Sequence, residues 1–183
     1  MKRISSLNRI TVTGVCIALC YILPLAFHST ALGTTLSPMH IPVLLCGMVC
    51  GSWYGLFCGI VGPILSSVLS GMPPATMLIS MIPELATYGL VTGLLMKLVR
   101  TKNLYADMYI SLSVAMILGR VVGGIAKALF YMGNGEVLTL SVWATGYFVS
   151  TAPGILCHLI LIPILVVTLM HTRLIPKCYS KGE

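Results

Sequence analysis

The sequence predicts an all-α membrane protein, with six transmembrane helices in a single bundle and both termini in the cytoplasm. Of its 183 residues, 57% are hydrophobic and only 8% are charged. A water-soluble domain of this length could not bury so much apolar surface in one core. The formal net charge of +7 is explained by basic residues at helix ends beside a bilayer, so nucleic-acid binding is not expected. We expect one membrane domain over residues 1–183.

Five apolar runs are long enough to cross a hydrocarbon core of about 30 Å. They cover residues 9–27, 51–70, 75–98, 104–131 and 142–170. A sixth and shorter run, 40–50, is bounded by Pro38, Pro42 and Gly51. So short an element reaches membrane depth only where neighbouring protein covers its ends, so we expect a partial or tilted helix there.

The basic residues indicate the orientation. They cluster at the amino end, in the link between the fourth and fifth helices, and in the tail: Lys2, Arg3, Arg9, Lys97, Arg100, Lys102, Arg173, Lys177 and Lys181. Six crossings place these three clusters on one side, and the opposite segments, 27–39, 70–75 and 132–140, contain no Lys or Arg. Cytoplasmic loops carry the excess of Lys and Arg in membrane proteins, so we expect both termini in the cytoplasm.

Three charged residues, Glu84, Arg120 and Lys127, fall inside the apolar runs. A charge at bilayer depth costs at least ~2.5 kcal/mol, which favours a binding site that faces the bundle interior. At 1.5 Å per residue, Glu84 lies ~13 Å below the outer surface and Arg120 ~24 Å along its helix, so the two can pair. Lys127 shares the face of Arg120, nearer the outer mouth.

Polar and aromatic side chains recur at helical spacing near these charges. The predicted ligand site comprises Glu84, Tyr88, Arg120, Lys127, Trp143, Tyr147 and Thr151. Such a pocket suits a polar, partly aromatic or carboxylated small molecule. The alternative is a structural ion pair of Glu84 with Arg120, with the aromatic residues at the membrane interface. His158 lies deeper, and for it we expect a lone histidine bonded to nearby backbone.

Seven cysteines raise the question of a metal or disulfide site. Cysteine is also a common small apolar packing residue, and we expect that role here, with no metal bound. The sequence contains no metalloprotease, serine-hydrolase or P-loop motif, so we expect neither an enzyme nor a cofactor in this chain. An importer built on it must draw its energy from another subunit or from an ion gradient.

Three segments carry a family resemblance. They are Leu36-Ser37-Pro38-Met39-His40-Ile41-Pro42-Val43 at the short second helix, Gly51-Ser52-Trp53-Tyr54-Gly55-Leu56 through Gly62-Pro63 in the third, and Gly71-Met72-Pro73-Pro74 after it. With six helices and cytoplasmic termini, nearly the whole chain resembles the S components of energy-coupling factor (ECF) transporters. These are small membrane subunits that capture vitamins.

The resemblance implies capture of a water-soluble vitamin or related micronutrient at the extracellular side of a bacterial plasma membrane. It implies three partners beside membrane lipid, namely a transmembrane coupling (T) component and two cytoplasmic ATPases, which use the ATP. It places the coupling contact at two small residues one turn apart, here Gly14 and Ala18, where helix backbones can approach closely. It also implies that the loops 28–39 and 71–75 cap the ligand.

Because Arg120 and Lys127 outnumber Glu84, we expect an anionic ligand with a carboxylate or phosphate. Pantothenate is the first candidate, and a pyridoxal-type or pterin-type molecule the second. Met39-His40 also resembles the amino-terminal Met-His of nickel and cobalt capture subunits, in which the free amine is a ligand. Here the dipeptide is internal and that amine is missing, so metal capture is only a minor alternative to vitamin capture. An intramembrane enzyme and a structural or assembly protein are the remaining alternatives.

Overall fold

The computed structural model describes residues 6–27, 37–99, 101, 103–133, 145–146 and 151–171. In these ranges it has six helices: α1 (Ser6–Phe27), α2 (His40–Cys50), α3 (Ser52–Ser70), α4 (Ala75–Leu98), α5 (Leu104–Gly133) and α6 (Ala152–His171), and no strand. All except α2 are long and apolar enough to cross a membrane. The prediction of an all-helical membrane protein is therefore confirmed. The terminal segments 1–5 and 172–183 lie outside the described residues, and the cytoplasmic placement of both ends stays a prediction.

The last helix begins later than its apolar run predicts. We expected a start at Val142, whereas α6 begins at Ala152. Pro153 suits this position, because a proline in the first turn of a helix loses no hydrogen bond. Thr151 lies just before the helix, and its carbonyl accepts a hydrogen bond from the Ile155 amide at 3.0 Å. Residues 147–150 lie outside the described ranges, so a continuous polar stripe over this region stays a prediction.

Helix α2 has only 11 residues and is about 16 Å long. The turn before it is buried at Pro38 and Met39, and the His40 amide donates to the Ser37 carbonyl at 3.0 Å. Irregular backbone of this kind is tolerated at membrane depth only where protein surrounds it, as expected from the sequence. The helix ends at Gly51, whose φ of 103° disfavours any side chain.

Helices α2, α3 and α4 meet through backbone atoms. A Cβ added at Gly89 would overlap the Gly55 carbonyl, one at Gly59 would overlap the Leu85 carbonyl, and one at Gly47 would overlap the Gly89 carbonyl. Small residues allow helices in membranes to approach this closely. We call this contact the glycine frame; it consists of Gly47, Gly55, Gly59, Gly89 and Gly93. The frame runs antiparallel between α3 and α4 and holds α2 beside them.

The glycine frame makes a prediction about stability. Gly89→Ala should lower the free energy of unfolding by about 1–3 kcal/mol or more, because the new methyl group overlaps backbone that cannot rotate away. Gly14→Ala is the matched control, since a Cβ at Gly14 meets nothing within 4 Å. Thermal unfolding in detergent should give a lower Tm for the first variant only. Equal Tm values for the two variants would contradict the close contact.

Helix α1 packs on α2 and α3 through a buried face. The cysteines on these three helices, Cys16, Cys20, Cys46, Cys50 and Cys58, are all buried and free. Cys20 lies against Gly62, where a Cβ would be 2.9 Å from its Sγ. The thiols therefore fill the space between helices, which is the packing role expected for them.

The chain reverses direction at two turns, and we use these turns to label the two ends of the bundle. The α2–α3 turn at Gly51 marks one end, and the α3–α4 turn at Gly71 marks the other. At the Gly71 end, the Ser66 hydroxyl donates to the Met72 carbonyl at 2.8 Å and the Ser67 hydroxyl to the Pro73 carbonyl at 2.9 Å. These bonds tie the turn to the last residues of α3.

Candidate functional site

Helices α4 and α5 pack antiparallel through two glycines of α5. A Cβ at Gly119 would overlap the ring of Tyr88, and one at Gly123 would lie 2.9 Å from Glu84 Oε2. Gly119 and Gly123 are four residues apart on α5, and Glu84 and Tyr88 are four residues apart on α4. The two residues of each helix therefore lie on one face of it. The missing side chains at Gly119 and Gly123 make room for Tyr88 and Glu84 in the middle of the bundle.

The Glu84 carboxylate has two partners there. The Tyr88 hydroxyl donates to Glu84 Oε1 at 2.7 Å, and His40 Nε2 lies 3.6 Å from the same oxygen. Glu84 is 7% exposed and His40 is 6% exposed. A buried carboxylate is costly unless it is paired and hydrogen-bonded, and these contacts supply both conditions. The first residue of α2 is thus part of the site.

Two further ring contacts surround His40. Its ring stacks on that of His158 with centroids 5.7 Å apart and planes inclined by 20°, and it is tilted against Tyr88 at 5.3 Å. His158 is therefore not a lone histidine, because α2 brings a second imidazole to it. Its hydrogen bond to nearby backbone stays a prediction. We call His40, Glu84, Tyr88 and His158 the polar floor.

Arg120 lies beside the polar floor on α5, one turn from Gly123. It is 4% exposed, and its Nη1 donates to the Thr151 hydroxyl at the start of α6. Among the described residues, the basic side chain that contacts the Glu84 carboxylate is His40, with Nε2 3.6 Å from Oε1, and this contact is an ion pair only when His40 is protonated. The depth argument placed Arg120 near Glu84, but it could not include His40, which α2 delivers to the carboxylate.

Lys127 continues the same face of α5 toward the Gly71 end, about 10 Å from Arg120 along the axis. Its Nζ lies 5.9 Å from the centroid of the Tyr131 ring, a cation–π distance. The structure thus pairs Glu84 with Tyr88 and Arg120 with Thr151, and Lys127 lies further along α5. Two other residues of the predicted site, Trp143 and Tyr147, lie outside the described residues.

One family model covers nearly the whole chain. The model described as ECF transporter, substrate-specific component, matches residues 8–173. The chain belongs to this family. Comparisons with curated proteins and with solved structures found no significant match. The protein is therefore a multi-pass membrane protein and a substrate-binding subunit of an ECF transporter, a complex that also contains a coupling component and ATPase subunits.

His40 is a residue of the candidate site that the predicted ligand set did not include. The sequence did contain an indication of this role, because His40 is the first residue of the short apolar run 40–50. That run was expected to lie at membrane depth. We interpreted His40 as part of a Met-His dipeptide and weighed it only as a metal ligand. In the part of the chain that the structure describes, no group of three His, Cys, Asp or Glu could hold a metal ion.

The predicted coupling residues of the S component lie away from the polar floor. Gly14 and Ala18 are exposed on α1, whereas Thr13, Cys16 and Cys20 form its buried face. A Cβ at Gly14 meets nothing within 4 Å. The small residues are thus on a surface that another helix can approach.

Proposed function

We propose that this S component captures an anionic, water-soluble vitamin or related micronutrient at the extracellular side of the bacterial plasma membrane. The observation that carries the proposal is the polar floor with Arg120 beside it, buried among apolar helices. Polar and charged groups at this depth are expensive, and they mark substrate pathways in membrane proteins. A structural or assembly protein would need no such layer.

The proposed orientation places the Gly71 end outside the cell. Lys97, Arg100 and Lys102 then lie on the cytoplasmic side, together with both termini, and the six helices form a single membrane domain. Glu84 is nine residues from the start of α4, which puts it about 13 Å below the Gly71 end. A ligand that enters from outside reaches the polar floor after it passes Lys127.

The proposed ligand carries a carboxylate or phosphate. Arg120 is held by Thr151 at the level of the polar floor, and Lys127 lies nearer the Gly71 end. Cations on one helical face attract an anion along the path of entry and favour its binding at depth. Pantothenate remains the first candidate, followed by a pyridoxal-type or pterin-type molecule.

The proposed partners are a T component, contacted through Gly14 and Ala18, and two cytoplasmic ATPases. Small residues on the exposed face of α1 support this contact, because they let a partner helix approach the backbone. ATP is used by the ATPases, and we propose that this chain itself needs no cofactor. Binding and energy supply are thus assigned to different surfaces of the assembly.

Mass spectrometry of copurified small molecules tests the proposed ligand. The protein is purified in mild detergent and denatured, and the released compounds are compared with those from the Arg120→Ala variant. We expect one carboxylate- or phosphate-bearing compound that is enriched in the wild-type sample. A cationic or neutral compound retained equally by both proteins would contradict an anionic ligand. Bound nickel or cobalt would instead support the metal-capture alternative.

A further inference from the structure

The hydrogen bond of His40 to the preceding turn determines where its ring carries a hydrogen. Nδ1 lies 3.0 Å from the Ser37 carbonyl oxygen. A carbonyl oxygen can only accept, so Nδ1 must be the donor. In a neutral His40 the other nitrogen, Nε2, then has no hydrogen and can itself only accept.

That acceptor faces a second acceptor. Nε2 lies 3.6 Å from Glu84 Oε1, which already accepts a hydrogen bond from Tyr88. If the carboxylate were ionised and the imidazole neutral, two lone pairs would face each other between side chains that are almost fully buried. Such an arrangement is unfavourable in a buried site of low dielectric constant. One proton removes the conflict, either on Nε2 as an ion pair or on Glu84 as a donor to Nε2.

We propose that His40 and Glu84 form a buried binding site for a single proton in the middle of the bundle. The surrounding groups favour one proton and not two. Arg120 on α5 is a nearby cation, and the His158 imidazole on α6 stacks directly on His40. A second proton would place another positive charge beside them, without a second carboxylate among the described residues of this layer.

The other groups around His40 do not supply the missing proton. The Tyr88 hydroxyl on α4 donates to Glu84 Oε1. From α1, the Cys20 thiol lies 3.9 Å from the Met39 carbonyl oxygen. The pair is electrically neutral when it holds one proton. The polar floor then presents no net negative charge from Glu84 to an anion.

Spectroscopy of the ligand-free protein tests the proton count without reference to the proposed vitamin. The chain has four histidines, so the ¹⁵N signals of His40 in labelled protein are assigned by comparison with His40→Gln. The infrared carboxyl band of Glu84 is assigned by comparison with Glu84→Gln. At pH 7 we expect an imidazolium with an ionised carboxylate, or an Nδ1–H imidazole with a protonated carboxyl.

Every other combination overturns the proposal. An Nδ1–H imidazole beside an ionised carboxylate would show that the pair holds no proton, and an imidazolium beside a protonated carboxyl would show two. An Nε2–H neutral ring would contradict the hydrogen-bond argument. The assignments need spectra of folded protein, and a variant that does not fold is replaced by His40→Asn or Glu84→Ala.

Two variants separate the pair from its neighbours. In Glu84→Gln, His40 should be a neutral Nδ1–H imidazole at pH 7, because its ionic partner is gone. Tyr88→Phe is the matched control, since it removes one hydrogen bond to Glu84 and leaves both members of the pair. We expect it to retain one proton. An imidazolium in Glu84→Gln, or a changed proton count in Tyr88→Phe, would overturn a site made of these two residues.

Discussion

Arg120→Ala is expected to weaken ligand binding by about 2–5 kcal/mol, since it removes a buried charge partner. This corresponds to a loss of roughly 30-fold to several thousandfold in affinity. Arg120 is 4% exposed, so its guanidinium lies in a largely desolvated part of the bundle. The ligand anion would be left in a desolvated site without a counter-charge.

Calorimetry with the compound identified by mass spectrometry measures this effect. Thr151→Val is the matched control, because it removes the hydroxyl that accepts from Arg120 Nη1 but retains the cation. The Thr151→Val variant should weaken ligand binding by only about 1 kcal/mol, the usual contribution of one hydrogen bond. Unchanged affinity in Arg120→Ala, with a lowered Tm, would show that the arginine has a structural role.

Gly14→Leu and Ala18→Leu are each expected to abolish uptake while ligand binding persists. A leucine on this exposed face of α1 would push a partner helix outward and remove contacts that need close backbone approach. The polar floor lies on α2, α4 and α6 and packs against α5, so it should not change. We expect ligand affinity to stay within about threefold, or ~0.6 kcal/mol.

Uptake in cells that co-express the coupling and ATPase subunits measures the loss, and pull-downs measure the association. Val68→Leu is the matched control, because Val68 is 77% exposed and lies on α3, away from the predicted coupling face of α1. It should transport normally. Full transport by both Gly14→Leu and Ala18→Leu would show that this face meets lipid and not the T component.

The ends of a helix could be predicted where an apolar run stops at a proline or at polar residues. The run 75–98 matches α4 at both ends, because Pro74 precedes it and polar residues follow it. The start of α6 was not predictable in the same way. Residues 142–151 contain no charged residue and no proline, so the sequence does not indicate where a helix begins within this run.

Part of the candidate site could be predicted from the sequence, and part could not. Depth and helical spacing identified Glu84, Tyr88 and Arg120, because a charge inside an apolar run is visible in the sequence. The pair of Glu84 with His40 was not visible. It depends on where α2 starts relative to α4, and that position follows from backbone contacts among glycines. Depth along a helix can be counted from its ends, but the partner across the bundle requires the packing.

The short length of α2 has a consequence for how the protein enters the membrane. Eleven residues cannot span a bilayer of about 30 Å, and unpaired backbone groups in lipid cost several kcal/mol each. Helix α2 therefore cannot insert as an independent segment. We expect α2 to remain in the translocation machinery or at the membrane surface until α3 and α4 have been inserted. It can then pack against their glycines. Because α2 carries His40, the pair of His40 with Glu84 can form only after the fourth helix has been synthesised.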